Sequence, residues 1–100
     1  MTVHIVVDMD VLPGQRDHVI EGLRALVPPT LEEEGCHRFE VYVPETEENR
    51  IVLVETWADQ HAIDLHMKTE YTEAFLAHVK TSFPHAPNAR RIAPVDLVAR

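Results

Sequence analysis

The residues best suited to acid–base chemistry lie in one stretch, from Ile51 to Phe75. Its first seven residues are mostly β-branched or aromatic, which predicts a strand with Leu53, Glu55 and Trp57 on one face. Both faces are mostly apolar, as is typical of a central strand. Glu55 places a carboxylate among apolar side chains, so it must have a partner, hold a proton or face a wet pocket.

A histidine follows in the next predicted element. Asp59 is suited to begin a helix that contains Ile63 and breaks near residues 68 and 69. His66 lies three residues after Ile63, close to the predicted buried face. Because an imidazole titrates near neutral pH, His66 is the first candidate for a proton-transfer residue. The structural alternative is a hydrogen bond to the backbone or to Glu70, one turn further on.

Glu55 has two possible kinds of partner in the sequence. It could serve a histidine or a substrate hydroxyl, or it could pair with Arg38 on the neighbouring predicted strand. Four aromatic residues are candidates for a pocket that binds a flat substrate, with plain core packing as the alternative: Trp57, Phe39, Tyr71 and Phe75. Arg38 is grouped with them as a candidate pocket residue.

Other chemistries find little support in the residue spacing. None of the seven histidines forms an H-x-H or H-x-x-x-H pair, and His61 and His66 are about 140° apart around a helix. We therefore predict no metal site. The single Cys36 is expected to be an inert buried thiol. Patterns of serine hydrolases, dinucleotide sites and P-loops do not occur.

Composition limits the classes of partner. A net charge of −8 argues against binding to a nucleic-acid backbone, and the runs Glu32–Glu34 and Glu45–Glu48 are predicted to be solvated surface. No apolar run is long enough to span a membrane, and no signal-peptide pattern is visible. With one cysteine, the sequence suits a reducing cytoplasm.

The order of predicted elements indicates a fold class. The predicted elements outside the central stretch are a strand at Val3–Val11, a helix at Gln15–Val27 that Pro28 and Pro29 interrupt, a strand at Cys36–Val43 and a strand at Ala89–Val98. Pro94 places the last strand at a sheet edge, at a bulge, or at a break between two short strands. The whole chain, residues 1–100, thus reads as one α+β ferredoxin-like domain, βαββαβ with an antiparallel sheet. In that fold the helices cover one sheet face, yet the other face is apolar too, which predicts a homodimer.

Two stretches resemble a known family. EEGCHRFEVYVPE (Glu33 to Glu45) and IVLVETWADQHAIDLHMKTEYTEAF (Ile51 to Phe75) resemble the antibiotic biosynthesis monooxygenase superfamily of dimeric α/β barrels, and within it the bacterial quinol monooxygenases. The resemblance is most specific at three motifs: Glu34-Gly35-Cys36, Glu55-Thr56-Trp57, and His66 followed by Thr69 and Phe75.

The resemblance implies a homodimer that oxygenates a small aromatic or quinol-type substrate without a cofactor. His66 would be the base, with Glu55 as an auxiliary. Haem-degrading relatives carry a ligating histidine and a first-strand asparagine where this chain has Leu76 and a strand without asparagine, which argues against haem. Two alternatives stay open: an isomerase of a small hydroxy-ketone signal, and a stress-response dimer that binds a small ligand without turnover.

Overall fold

The computed structural model describes residues 1–98 of the chain. Its elements are, in order, β1 (Val3–Asp10), α1 (Arg16–Leu31), β2 (Cys36–Tyr42), β3 (Arg50–Trp57), α2 (Gln60–Met67), α3 (Glu70–His78) and β4 (Asn88–Ile92). This is the predicted order of strands and helices, with the second helical stretch divided into α2 and α3.

The strands form one antiparallel sheet in the order β2-β3-β1-β4. β1 pairs with β3 along its whole length, from Val3 opposite Trp57 to Asp10 opposite Arg50. β2 pairs with β3, and β4 pairs with β1, both antiparallel. The strands β1 and β2, which α1 connects, are therefore parallel to each other with β3 between them. The strands β3 and β4, which α2 and α3 connect, are parallel with β1 between them. The predicted α+β ferredoxin-like topology is confirmed.

The core lies between the helices and one face of this sheet. Period-two alternation turns the odd-numbered residues of β1 and β3 to that side, and Ile51 and Trp57 are completely buried there. α1 contributes a buried stripe to the same core: Val19, Leu23 and Leu26. β3 is thus a central strand, as predicted.

A bulge near the start of β2 changes the predicted side-chain directions. Cys36 lies opposite Trp57 and Arg38 lies opposite Thr56, so His37 is an additional residue in β2. Strict alternation along the predicted strand Cys36–Val43 places Cys36 on the same face as Arg38, and this prediction is wrong. The additional residue turns Cys36 to the core side, whereas Arg38 faces away from it.

Helix α1 continues through its two prolines. The predicted interruption at Pro28 and Pro29 is wrong, because both lie in the last turns of a helix that extends to Leu31. The prolines lack the N–H groups that would bond to the Arg24 and Ala25 carbonyls, yet the backbone keeps its helical course to Leu31. The hydroxyl of the fully buried Thr30 also donates to the Leu26 carbonyl at 2.7 Å, which adds a bond in this turn.

Side-chain caps begin both α2 and α3, and the second cap lies at the predicted break between them. The Ala62 N–H donates to Asp59 at 2.9 Å, and the Thr72 N–H donates to Thr69 at 3.3 Å. Both caps occupy extended backbone positions, as N-caps require. The helix break near residues 68 and 69 is confirmed.

The last strand is shorter than predicted. β4 ends at Ile92, and residues 93–98, which contain Pro94, belong to no strand. Proline has no N–H for a sheet ladder, which accounts for the early end. No helix in the described residues 1–98 is long and apolar enough to cross a membrane.

The sheet face opposite the helices is apolar at its centre. Val6 pairs with Val54, and both are half-buried although no helix covers them. Charged side chains on this face bond to one another, for example Arg90 to Asp8 at 2.8 Å. The open face, as we call this side of β1 to β4, therefore has an apolar centre with paired charges around it.

Candidate functional site

A cavity of about 570 Å³ lies between the sheet and the helices α2 and α3. Apolar side chains make up most of its wall, including Met9, Leu53 and Phe75. Four polar side chains interrupt it: Glu55, His66, Thr72 and Lys80. Volume and composition are those of a pocket that binds a small, largely apolar molecule in a defined orientation.

Glu55 enters this cavity from β3. Its Oε1 accepts a hydrogen bond from the Trp57 indole N–H at 2.8 Å, and its Oε2 has no hydrogen-bond partner within residues 1–98. Burial raises the pKa of the carboxyl group, an effect that the indole bond and the neighbouring His66 partly oppose. Glu55 can therefore offer Oε2, with or without a proton, to a molecule in the cavity.

Replacing Glu55 with glutamine should stabilise the protein at neutral pH. Below the unfolded pKa of about 4.3, residue 55 is uncharged in both the wild type and the variant. Folding raises the pKa of Glu55, so the wild type loses stability as pH rises through the folded pKa and the buried carboxyl group ionises. A pKa raised by one unit corresponds to ~1.4 kcal/mol. Urea unfolding at pH 4 and pH 7.5 should show the variant gaining stability relative to wild type only at pH 7.5.

The exposed Glu45 provides the matched control for this experiment. Glu45→Gln also removes one negative charge, but from a side chain that is not buried, so no cost of burying a charge is removed. A stability difference between wild type and Glu55→Gln that is the same at both pH values would contradict the account of the Glu55 carboxyl.

His66 is held by the carboxylate of Glu33, a residue predicted to belong to solvated surface. Its Nδ1 lies 2.8 Å from Glu33 Oε2, and the histidine side chain is 7% exposed and the glutamate side chain 17% exposed. A carboxylate only accepts, so Nδ1 carries the hydrogen and Nε2 is left as the acceptor. This tautomer suits a general base whose partner carboxylate stabilises the imidazolium.

The same carboxylate oxygen accepts a second hydrogen bond. The Tyr71 hydroxyl donates to Glu33 Oε2 at 2.7 Å. Burial and the adjacent carboxylate raise the pKa of Tyr71 to about 12, so the phenol remains a donor at neutral pH. Thr72 Oγ1 lies 3.4 Å from His66 Nε2, and Thr69 donates to the His66 carbonyl at 2.7 Å. The imidazole is therefore positioned by contacts from both sides.

One prediction for these residues and two of the alternatives left open are wrong. Glu33 is not solvated surface, and His66 bonds to Glu33 and not to Glu70. Glu55 does not pair with Arg38, which bonds to Glu40 at 2.8 Å on the open face. Arg38 alternates with Phe39, and it is Phe39 that lies opposite Glu55 on the core side, so the arginine faces the other way.

The structure brings some of the predicted pocket residues together and separates others. Phe39 and Phe75 line the cavity with Glu55 and His66. Trp57 is fully buried behind them, its ring centroid 4.7 Å from that of His66, and Tyr71 reaches Glu33. Arg38 lies on the other face of the sheet, so it does not line this cavity.

A spacing signal for Glu33 was present in the sequence. The buried residues Leu23, Leu26 and Thr30 recur at intervals of three and four, and Glu33 continues this series beyond the end of α1. Its position in a run of three glutamates concealed that signal. Thr72 and Lys80, which also line the cavity, had no comparable pattern.

Residues 1–98 contain no group of three His, Cys, Asp or Glu side chains arranged to bind a metal ion.

Cys36 is partly buried, and this burial is the main cause that raises the pKa of its thiol to about 11. The thiol is therefore protonated at neutral pH, which agrees with the predicted inert cysteine.

Comparison with protein families places this site in context. The family model described as "Antibiotic biosynthesis monooxygenase" matches residues 2–81, which include β1 to α3 and the contacts among Glu33, Glu55 and His66. The chain belongs to the antibiotic biosynthesis monooxygenase family. The resemblance seen in the sequence is thus confirmed, whereas β4 lies beyond the matched region.

Individual family members are similar at modest identity. The chain is 30% identical over 88 residues to "Putative monooxygenase YcnE" of Bacillus subtilis, which covers 88% of this chain and 84% of that protein. It is 27% identical to "Probable quinol monooxygenase YgiN" of Escherichia coli, over 76% of this chain and 83% of that protein. A match to sll1783 of Synechocystis, 29% identical over 69% of this chain, spans only 47% of that protein.

A solved structure shows the same fold. The protein PA3566 from Pseudomonas aeruginosa superimposes with a TM-score of 0.87 and 20% identity, over 94% of each chain. At this identity the likeness concerns the arrangement of strands and helices alone. The chemistry of the family site in this chain must be argued from its own residues.

Proposed function

We propose that this protein is a cytoplasmic monooxygenase that uses dioxygen and no cofactor to oxygenate a small aromatic or quinol-type substrate. The observation that carries the proposal is the apolar cavity whose wall contains the His66 imidazole, backed by Glu33, together with the Glu55 carboxyl. The names of the relatives YcnE and YgiN support the same class of reaction.

The proposed reaction begins with removal of a phenolic proton. His66 Nε2 accepts this proton, because Nδ1 is engaged with Glu33 at 2.8 Å. The electron-rich substrate anion then reduces dioxygen directly. For a quinol, one oxygen atom enters the ring as a hydroxyl group, the other leaves as water, and the quinol supplies all four electrons as it becomes a hydroxyquinone. The protein contributes orientation and an apolar cavity around the reacting groups.

Glu33 also connects the base with solvent. Besides its bonds to His66 and Tyr71, it lines a surface groove of about 550 Å³ next to Gly35 and Asp59. A proton taken from a substrate in the cavity can therefore leave through the imidazole and the carboxylate to water in the groove. Glu55 has the auxiliary role of hydrogen bonding to a second oxygen of the substrate through Oε2.

We propose that two copies pack through their open faces as a homodimer. The half-buried Val6, Val52 and Val54 supply an apolar centre, and exposed Tyr42 and Ile92 extend it. Apolar sheet faces of this extent are covered in stable proteins. Sedimentation of the wild type should give twice the mass of one chain, and Val54→Arg should give the single-chain mass. A monomeric wild type would refute the dimer.

The isomerase remains the second candidate because His66 bonds to one carboxyl, Glu33, and shares the cavity wall with another, Glu55. Such an arrangement can move a proton between two carbon or oxygen atoms of a hydroxy-ketone without oxygen. A dimer that binds a ligand without turnover would use the same cavity. Only the oxygenase consumes dioxygen in proportion to product.

Oxygen uptake tests the proposed reaction. The purified, metal-free protein is offered reduced naphthoquinols, benzoquinols and anthrones in an oxygen electrode, with autoxidation subtracted. We expect uptake well above background for at least one class, and one atom of ¹⁸O from labelled dioxygen in each product molecule. Background rates for every compound would refute the quinol proposal, and product formation without oxygen would favour the isomerase.

A further inference from the structure

The charged residues of the cavity wall lie in different parts of the chain and differ in their exposure to solvent. Glu55 lies on β3, in the half-buried part of the wall beside the buried His66. Lys80 lies just after α3, is exposed, and lines the cavity together with exposed Leu76 and half-buried Phe83. One end of the cavity therefore offers carboxyl and imidazole groups, and its rim offers an ammonium group.

Lys80 has no ion pair within the described part of the chain, whose salt bridges join other residues. This is notable because acidic residues outnumber basic ones by 17 to 9. Lys68, the other lysine of the chain, is exposed at the end of α2 and does not line the cavity. The two lysines thus form a natural pair for comparison.

The position of Lys80 favours one orientation of a bound anion. A lysine stem packs along an apolar wall while its ammonium group stays at the boundary with water. An anionic group at the rim would gain the attraction of this ammonium group and keep part of its hydration. At the inner end the same anion would meet Glu55, and Glu33 behind His66, and would be repelled.

We propose that Lys80 binds an anionic group of the substrate, so that the cavity selects aromatic hydroxy acids over neutral phenols. The carboxylate would lie at the rim, the ring would contact the apolar wall, and the hydroxyl would reach His66 and Glu55. This inference deepens the proposed function and rests on it for the identity of the site. Measurements of ligand binding test this inference, and they do not require turnover of a substrate.

Two probes that differ by one carboxylate group provide the test. 6-Hydroxy-2-naphthoate carries a hydroxyl and a carboxylate at opposite ends of a naphthalene, and 2-naphthol lacks the carboxylate. Calorimetric titration of the wild-type protein should give a Kd for the hydroxynaphthoate about three- to fivefold lower than for the naphthol. This preference should decrease between 20 mM and 500 mM salt.

Variants assign the preference to one residue. Lys80→Gln should bind both probes with the naphthol affinity of the wild type, and Lys80→Arg should retain most of the preference. Lys68→Gln is the matched control, because it removes the same charge elsewhere, and should behave as the wild type. Equal affinities in the wild type, or an unchanged preference in Lys80→Gln, would overturn the proposal.

The outcomes for binding and for oxygenation are separate. A charge preference that depends on Lys80, without oxygen uptake for any quinol, would support the anion site and refute the oxygenase. Oxygen uptake together with equal affinities for the two probes would support the oxygenase and refute the anion site. Absence of binding for both probes would overturn the inference.

Discussion

Replacing His66 with alanine should lower kcat/KM for oxygen uptake by about 10²- to 10³-fold, because the substrate loses the group that takes its proton. His66→Asn should be about as inactive, although its side chain can still donate to Glu33. KM should change little, since the apolar wall that holds the ring is intact. Initial rates over a range of quinol concentrations measure both effects, and urea unfolding verifies that each variant folds.

Glu33→Gln should lower kcat by about 10- to 100-fold without raising KM. Glutamine can still accept one hydrogen bond, but it removes the negative charge that stabilises the imidazolium 2.8 Å away. Combined with His66→Ala, it should cause no further loss, because the carboxylate acts through the imidazole.

The neighbouring Glu32 is the matched control for this series, since it is exposed and belongs to the same acidic run. Glu32→Gln should retain wild-type rates. Activity of His66→Ala within threefold of wild type would contradict the assignment of the base, and additive losses in the double variant would contradict the role of Glu33.

Gly35→Ala should lower the free energy of unfolding by about 2–3 kcal/mol. A Cβ atom at Gly35 would lie 2.4 Å from the Ala62 Cβ and 3.6 Å from its Cα, so that α2 would have to move away. This approach is close because the Gly35 carbonyl accepts the Ala58 N–H at 2.8 Å, which holds the start of β2 against the region where α2 begins. Urea unfolding measures the loss.

A second substitution tests the cause. Ala62→Gly removes the clashing methyl group and costs about 1 kcal/mol by itself, because glycine is unfavourable in a helix. In the double variant most of the Gly35→Ala loss should be recovered. Gly14→Ala is the control: its φ of 81° is strained for alanine, but no atom lies within 4 Å of the added Cβ. Ala62→Gly should not rescue it, and equal rescue of both would refute the contact.

The contact between Gly35 and Ala62 lies next to the contact between Glu33 and His66. Gly35 lies two residues after Glu33, and Ala62 lies four residues before His66 on α2. The close packing of the β2 start on α2 therefore sets the separation between the carboxylate and the imidazole. A displacement of α2 that leaves the protein folded should still lengthen the 2.8 Å contact between Glu33 and His66.

Local patterns in the sequence determined the strands and helices, and they determined which residues of a strand share a sheet face. Alternation in β3 placed Glu55 on the same face as Leu53 and Trp57, because side-chain direction in a strand depends only on period. Asp59 and the break near residue 69 identified the two short helices, since a cap bonds within three residues of itself. The order of elements and the motifs near His66 were enough to indicate the family.

Only the tertiary structure decided which of these residues meet. Glu33 could not be distinguished from Glu32 by residue type, and its contact with His66 joins positions 33 residues apart. The register of β2 on β3 placed Phe39, and not Arg38, opposite Glu55, and composition does not specify which residues of two strands pair. Lys80 became a cavity residue because α3 leads the chain past the rim. Propensity and period act over a few neighbouring residues, whereas a site is assembled from segments that packing brings together.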